Sequence, residues 1–305
     1  MTAQIEIIEV GPRDGLQSEP EILPTEVKIE FIKRSLDAGI RHLEVASFVH
    51  PKKVPQMADA EAVIAGLPSL PDAIYIGLIM NWKGFERALA AGVHEVGMVV
   101  VASDTFNRRN QGVGTEDSIA VWDQVAAAAH KEGLRPSITI GATFGCPFEG
   151  EVPVERVVAL AKRVCEAGPV QLGLADSIGV AVPDHVTRVL NAVREAVPDV
   201  ALRCHFHNTR NTGLANAYAA ILAGVSALDA STGGIGGCPF APAATGNIPT
   251  DDLLYMLQRS GMETGVSLDK VIENSHWLAE QLGRNVPAML PKAGVFPDNV
   301  VQTAA

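Results

Sequence analysis

The sequence predicts an α/β fold of the (β/α)8 type, a TIM barrel with an additional C-terminal helix. The first observation behind this is a junction that recurs along the chain. A helical pattern closes on Ala-Gly or a similar pair and an apolar run follows, as in LDAGIRHLEVAS, LAAGVHEVGMVVVAS, KEGLRPSITIGAT, CEAGPVQLGLADS and LAGVSALDAS. Glycine just past a helix takes the left-handed cap conformation cheaply, and the chain then enters a strand. Repeated, this is βα alternation. The second observation is that there are eight such apolar runs, each short enough for a parallel strand covered on both faces. The third is length: 305 residues suit one large barrel or two smaller domains and can bury a sizeable core. A doubly wound open sheet is the runner-up. No GxGxxG follows the first strand, which weakens a dinucleotide site and leaves no sign of a nucleotide redox cofactor.

The elements follow in order. IEIIEV (5–10) is the first strand, and TEVKIEFIKRSLDAG is the helix after it. HLEVAS (42–47), AIYIGLIM (73–80), EVGMVVVAS (95–103) and SITIGATF (137–144) are strands two to five. VQLGLADS (170–177) is the sixth, and DHVTRVLNAVREAV is the helix after it. ALRCHFHN (201–208) and ALDASTGG (227–234) are the seventh and eighth. Asp184 and Thr250 fall where cap-region residues are expected, after proline or before an acidic first turn. TDDLLYMLQRSG closes the last unit, and SLDKVIENSHWLAEQLG is the additional helix. The expected organisation is a single barrel domain over 1–305, with a C-terminal extension from about 262 to 305 packed on or beside it.

A net charge of −11 and a pI near 5.2 argue against a nucleic-acid partner. An anionic ligand would need a metal or a local basic patch, for which Lys52-Lys53 and Arg108-Arg109 are candidates. The four cysteines are scattered and form no CxxC, which suits a reducing compartment. MTAQIEIIEV lacks the pattern of a secretory signal, no apolar stretch reaches membrane-spanning length, and VVQTAA is not a common targeting tripeptide. The expected location is the cytoplasm, with no membrane partner.

Barrel chemistry belongs at the C-terminal ends of the strands. The polar residues expected there are Arg13 and Asp14 in GPRDGLQ, Glu44, Asn81, Ser103, Thr143, Asp176, His205, His207, Cys238 and Asn247. Strand side chains alternate, so His205 and His207 share one face. Alone, an HxH pair reads as core as readily as a metal site; its place at the end of a late strand favours a metal. Two imidazoles with oxygen donors suit Mg²⁺, Mn²⁺, Fe²⁺ or Zn²⁺. Thiolate-rich zinc is disfavoured, because only Cys238 lies in a suitable loop. GPRDG reads either as a plain turn or as a glycine-framed loop presenting Arg13 beside Asp14. Cys238, in the glycine-rich GGIGGCPFAP, could protonate a carbanion or act as a nucleophile, or be inert. Cys146, Cys165 and Cys204 are expected to be structural.

At this point GPRDGLQ, EVASFV followed by PKKVPQMAD, LADSIGV, HFHNT, and GGCPFAPAATGN followed by DDLLYML together resemble the 3-hydroxy-3-methylglutaryl-CoA (HMG-CoA) lyase family of metal-dependent barrels, over roughly residues 5–285. The resemblance implies a divalent metal, Mg²⁺ or Mn²⁺ ahead of Zn²⁺ or Fe²⁺, on Asp14, His205, His207 and Asn247. It implies that Arg13 stabilises the enolate oxygen of departing acetyl-CoA, that Cys238 supplies a proton to the enolate carbon, and that Glu44 and Asp176 are further active-site carboxylates. Gln17, Asn81, Thr143 and Arg210 are candidate substrate contacts beside Arg13. The implied reaction cleaves HMG-CoA or a close 3-hydroxyacyl-CoA to acetyl-CoA and a keto acid, in a homodimer. Citramalyl-CoA lyase is the nearest alternative, then a Claisen-type acyl-CoA synthase, then an inactive metal- or CoA-binding protein. The chain departs from the family pattern after the second histidine. Asn208-Thr209-Arg210-Asn211 stands where Asp-Thr-Tyr-Gly is common, and Met80 stands before Asn81 where a proline is usual. Arg210 is therefore a candidate to pair with a substrate carboxylate.

Overall fold

A computed structural model describes residues 4–238 and 241–296. Eight parallel strands close into a barrel: β1 (Glu6–Glu9), β2 (His42–Ser47), β3 (Ile74–Ile79), β4 (Glu95–Val101), β5 (Arg135–Gly141), β6 (Gln171–Asp176), β7 (Leu202–Phe206) and β8 (Ala227–Ala230). Closure is made by β1 and β8, with Glu6 opposite Ala227 and Glu9 opposite Ala230. The helices between them are α1 (Thr25–Asp37), α2 (Ala60–Ala65), α3 (Trp82–Ala91), α4 (Asp104–Gln111), α5 (Thr115–Lys131), α6 (Val154–Cys165), α7 (Pro183–Ala196) and α8 (Gly213–Leu222). A small antiparallel pair, β9 (Gly237–Cys238) and β10 (Ala241–Thr245), follows β8, and α9 (Thr250–Arg259), α10 (Leu268–Leu282) and α11 (Leu290–Ala293) complete the chain.

All eight expected strands are present, and the fold is the barrel the alternation predicts. Most strands stop short of the expected end. β5 begins at Arg135 and ends at Gly141, because Ala142 turns the chain out of the sheet at a φ of 52°. Thr143, expected at the end of that strand, therefore lies beyond it. β7 ends at Phe206, two residues early. His207 keeps an extended course through an isolated bridge to Asn247 and through its N–H, which donates to the Asp176 carbonyl at 3.3 Å. The shared face of the two histidines survives the shortening. Thr250 opens α9, but its hydroxyl donates to Glu9 rather than capping its own helix.

The additional helix α10 packs on α1. Trp277 lies 6.5 Å from the Phe31 ring and under the Arg34 guanidinium, and Asn274 donates to the Ser35 hydroxyl. Among the described residues, no helix is long and apolar enough to cross a membrane.

Candidate active site and metal centre

The site begins where β1 ends. The chain coils at once into one π-turn, Gly11–Gly15, in which the N–H groups of Arg13, Asp14 and Gly15 all point at the Val10 carbonyl. Glycine is needed at both ends: a Cβ on Gly11 would come 2.6 Å from Glu9, and one on Gly15 would come 2.7 Å from Ile235. The fully buried Glu9 fixes the turn, accepting from the Gly11 and Thr232 N–H groups and from the Thr232 and Thr250 hydroxyls at 2.7–2.9 Å. One carboxylate thus ties β1 to the segments after β8. Burial, partly offset by these donors, pushes its carboxyl up to about 7.

The π-turn sets Arg13 beside Asp14, as the glycine-framed reading of GPRDG expects. Arg13 Nε donates to Glu44 Oε1 on β2 at 2.6 Å, and Nη1 pairs with Asp14 Oδ1. Burial works against both charges, but the arginine is held protonated by Asp14 and Glu44. Asp14 is likewise held well below the usual carboxylate range by Arg13, the two imidazoles and an Asn247 bond.

Opposite the turn, β7 presents His205, and His207 follows just beyond the strand. His205 Nδ1 lies 3.0 Å from Asp229 Oδ2 on β8, which makes that nitrogen the donor and leaves Nε2 outside that contact. The two rings are 5.1 Å apart, and burial with the charge of His205 pushes His207 down to about 4. His207 is therefore neutral at ordinary pH. Asn247 donates to Asp14 Oδ2 at 2.9 Å, across 233 residues of sequence.

Asp14, His205 and His207 each bring one ligand atom within 4.8 Å of the others, and the group could hold a metal ion. Two further facts fit that reading. His207 Nδ1 and Asn247 Oδ1 are buried and have no hydrogen-bond partner among the described residues. Buried polar atoms are normally satisfied, and a cation between the imidazoles and the amide oxygen would satisfy both. Neutral imidazoles with a carboxylate and an amide oxygen suit a hard or borderline divalent ion.

The group opens onto a cavity of about 390 Å³ inside the barrel, also lined by Arg13, Glu44, Arg203 and Asp229. Gln17 and Lys53 line it too, and Gln17 Oε1 is buried without a partner among the described residues. Gly97 and Gly141 also line it; a Cβ there would come 3.3 Å from Ile76 and 3.4 Å from Val99 respectively.

The structure places the other candidates elsewhere. Asn81 Oδ1 caps α3, accepting from Gly84 N–H at 3.0 Å, and its side chain is exposed. Thr143 is fully buried, and its hydroxyl donates to the Ile140 carbonyl. Asp176 follows Ala175, which lines the cavity, so strand alternation turns the carboxylate away from it. Its oxygens accept from Val180 and Ala181 N–H at 3.0 and 2.9 Å, bracing the loop into α7, and burial pushes its carboxyl up. Arg210 braces the same loop from outside, donating to the Ile178 and Gly179 carbonyls at 3.0 Å. None of these four is among the described residues that line the cavity. Cys238 lies in β9, next to the cavity-lining Gly237, but its side chain is outside the described part of the structure. Cys146 and Cys204 are buried, as expected of structural thiols. Of the basic pairs, Lys53 faces the cavity, whereas Arg108 pairs with Asp104 and Arg109 stacks on Phe148.

Two charged cavity residues escaped the sequence reading, Asp229 and Arg203. The signal was present. The period-two pattern that pairs His205 with His207 also includes Arg203, and ALDA places Asp229 in register with His205 across β7 and β8.

Comparison with known proteins is consistent with this geometry. The family model described as HMGL-like matches residues 4–277. The (R)-citramalyl-CoA lyase of Chloroflexus aurantiacus is 41% identical over 310 residues, covering 98% of this chain and 98% of that protein. The hydroxymethylglutaryl-CoA lyase YngG of Bacillus subtilis is 39% identical, covering 93% of this chain and 95% of that one. Among solved structures, an HMG-CoA lyase from Acinetobacter baumannii in complex with coenzyme A and 3-methylmalate superposes with a TM-score of 0.93 at 39% identity, covering 98% of this chain and 99% of that chain.

Proposed function

The chain belongs to the HMGL-like family, and from that premise we propose that it cleaves a 3-hydroxyacyl-CoA thioester between C2 and C3, releasing acetyl-CoA and a keto acid, with HMG-CoA as the leading substrate. It is a carbon–carbon lyase of the kind its relatives are. The single observation that carries the reading is the convergence of Arg13 with Asp14, His205 and His207 on one cavity at the C-terminal ends of the strands.

Breaking that bond removes the hydroxyl proton and leaves an enolate on the thioester. Mg²⁺ or Mn²⁺ held by Asp14, His205, His207 and Asn247 would supply Lewis acidity that lowers the hydroxyl pKa and orients the substrate. Arg13 is a fixed cation whose position is locked by Glu44 and Asp14, so it can meet charge developing on the thioester oxygen without reorganising. Asp229 keeps His205 in one tautomer, with Nε2 available to a cation or a proton. Cys238 is assigned the proton donor to the enolate carbon, supported by its place next to Gly237. Gln17 is assigned a substrate contact. Asn81, Thr143, Asp176 and Arg210 are assigned indirect roles, as supports of the rim. A homodimer in the cytoplasm completes the proposal; light scattering and cell fractionation test it.

A second substrate, citramalyl-CoA, is favoured by the Chloroflexus relative and by the 3-methylmalate complex. It carries the same hydroxyl and thioester with one fewer methylene. The test is acetyl-CoA release from HMG-CoA and citramalyl-CoA in parallel, with Mg²⁺ or Mn²⁺ and with chelator. Metal-dependent release from either is expected. Release from neither, by folded and metal-loaded protein, would overturn the proposal.

A further inference from the structure

Arg203 is a cation that the chemistry above does not use. It projects from β7 on the same side as His205, one strand repeat deeper, roughly 7 Å towards the barrel floor. It is 7% exposed and lines the cavity. A guanidinium has five N–H donors, and burying one with donors unspent is costly. Here Nε lies 3.1 Å from Asp229 Oδ1 as an ion pair. Yet Asp229 Oδ1 and Arg203 Nη1 are both buried with no hydrogen-bond partner among the described residues. Arg13, the other cavity arginine, has Nε on Glu44 and Nη1 on Asp14. An arginine kept only to brace Asp229 would be expected to engage it with its fork, and this one does not.

The substrate's own shape says what the remaining donors are for. Coenzyme A is far bulkier than a cavity of about 390 Å³, so the thioester must enter last and the far end of the acyl group must go deepest. A single carboxylate at the buried end of the acyl chain would meet Arg203 there.

We propose that Arg203 is the specificity-determining seat for the terminal carboxylate of the acyl group, selecting 3-hydroxy diacid thioesters over uncharged acyl chains. This rests on the lyase reading above, but its test does not require turnover. Full-length Mn²⁺-loaded protein is titrated calorimetrically with 3-hydroxy-3-methylglutarate and with 3-hydroxy-3-methylbutyrate, which lacks the second carboxylate. The wild type should bind the diacid at least about tenfold tighter, the worth of one charge-assisted pair. Arg203→Met and Arg203→Gln should lose that preference, Arg203→Lys should recover part of it, and Mn²⁺ affinity by electron paramagnetic resonance should stay within about twofold of wild type in all of them. If the methionine variant does not fold, the glutamine variant decides. A preference that survives in the neutral variants, or is absent from the wild type, overturns the inference. So does a loss that merely tracks a fall in Mn²⁺ affinity, which would make Arg203 a brace acting through Asp229. If the wild type cleaves no thioester but the diacid preference depends on Arg203, the lyase proposal fails and the carboxylate seat stands.

Discussion

Asp229 on β8 holds His205 on β7 by a 3.0 Å contact between Oδ2 and Nδ1. Neither residue reaches its partner through sequence proximity; the pairing exists because β7 and β8 are neighbours, with the two residues in register. A carboxylate behind a ligating imidazole fixes its tautomer and raises its basicity. Asp229→Ala should therefore weaken Mn²⁺ binding by roughly 10- to 100-fold, with Asp229→Asn losing less. Mn²⁺ titration followed by electron paramagnetic resonance checks this, and unchanged affinity would remove Asp229 from the site.

Arg13 meets charge that appears only as the bond breaks, so its loss should fall on kcat rather than KM. Arg13→Met should lower kcat by about 10²- to 10³-fold in acetyl-CoA release, the usual cost of losing one preorganised donor to a developing oxyanion. Arg13→Lys should recover only part, because Glu44 and Asp14 are met by the guanidinium fork. An effect confined to KM would mean that Arg13 only binds.

Ligands that favour the folded state raise its stability by mass action. Mn²⁺ at about 100 times its Kd should add roughly 2.7 kcal/mol and raise Tm. His207→Ala and Asp14→Asn should abolish the shift, since both belong to the group of converging ligand atoms. Differential scanning calorimetry with and without metal is the measurement; an undiminished shift in either variant would place the metal elsewhere.

At the opposite end of the barrel, His42 lies between Glu6 at 3.1 Å and Glu95 at 3.3 Å. Burial opposes its charge, but the two carboxylates prevail and raise it from 6.5 to about 8. A histidine raised on folding stabilises the native state while protonated in both states, below about pH 6.5, and loses that contribution as pH rises through about 8. Urea denaturation should show stability falling across that window by something on the order of 1–2 kcal/mol. His42→Gln should flatten the profile; a window that persists in the variant would assign it to another group.

Much of the molecule is legible in the sequence. The helix-to-strand junctions count the eight strands, and the motif at 11–17 marks the turn that carries Arg13 and Asp14. The HxH pair declares its shared face, and that face persists even though β7 stops at Phe206. Strand ends were less legible. Ala142 leaves the sheet through a positive φ that alanine seldom takes, a choice imposed by its surroundings rather than by local preference. Asp176 and Arg210 show the same limit at the site: the sequence points to an active-site carboxylate and a substrate contact, and both instead hold the loop into α7.

What the sequence by itself determined is periodic and local: strand number, element order, and which residues of one strand share a side. These follow from a two-residue pleat and from glycine's freedom at helix ends. Only the tertiary structure decided which side faces the cavity and who meets there. Closing β1 onto β8 brings Asp14 to Asn247, and pairing β7 with β8 sets Asp229 against both His205 and Arg203. Those contacts depend on strand stagger and barrel closure, which are set by the packing of the whole chain at once.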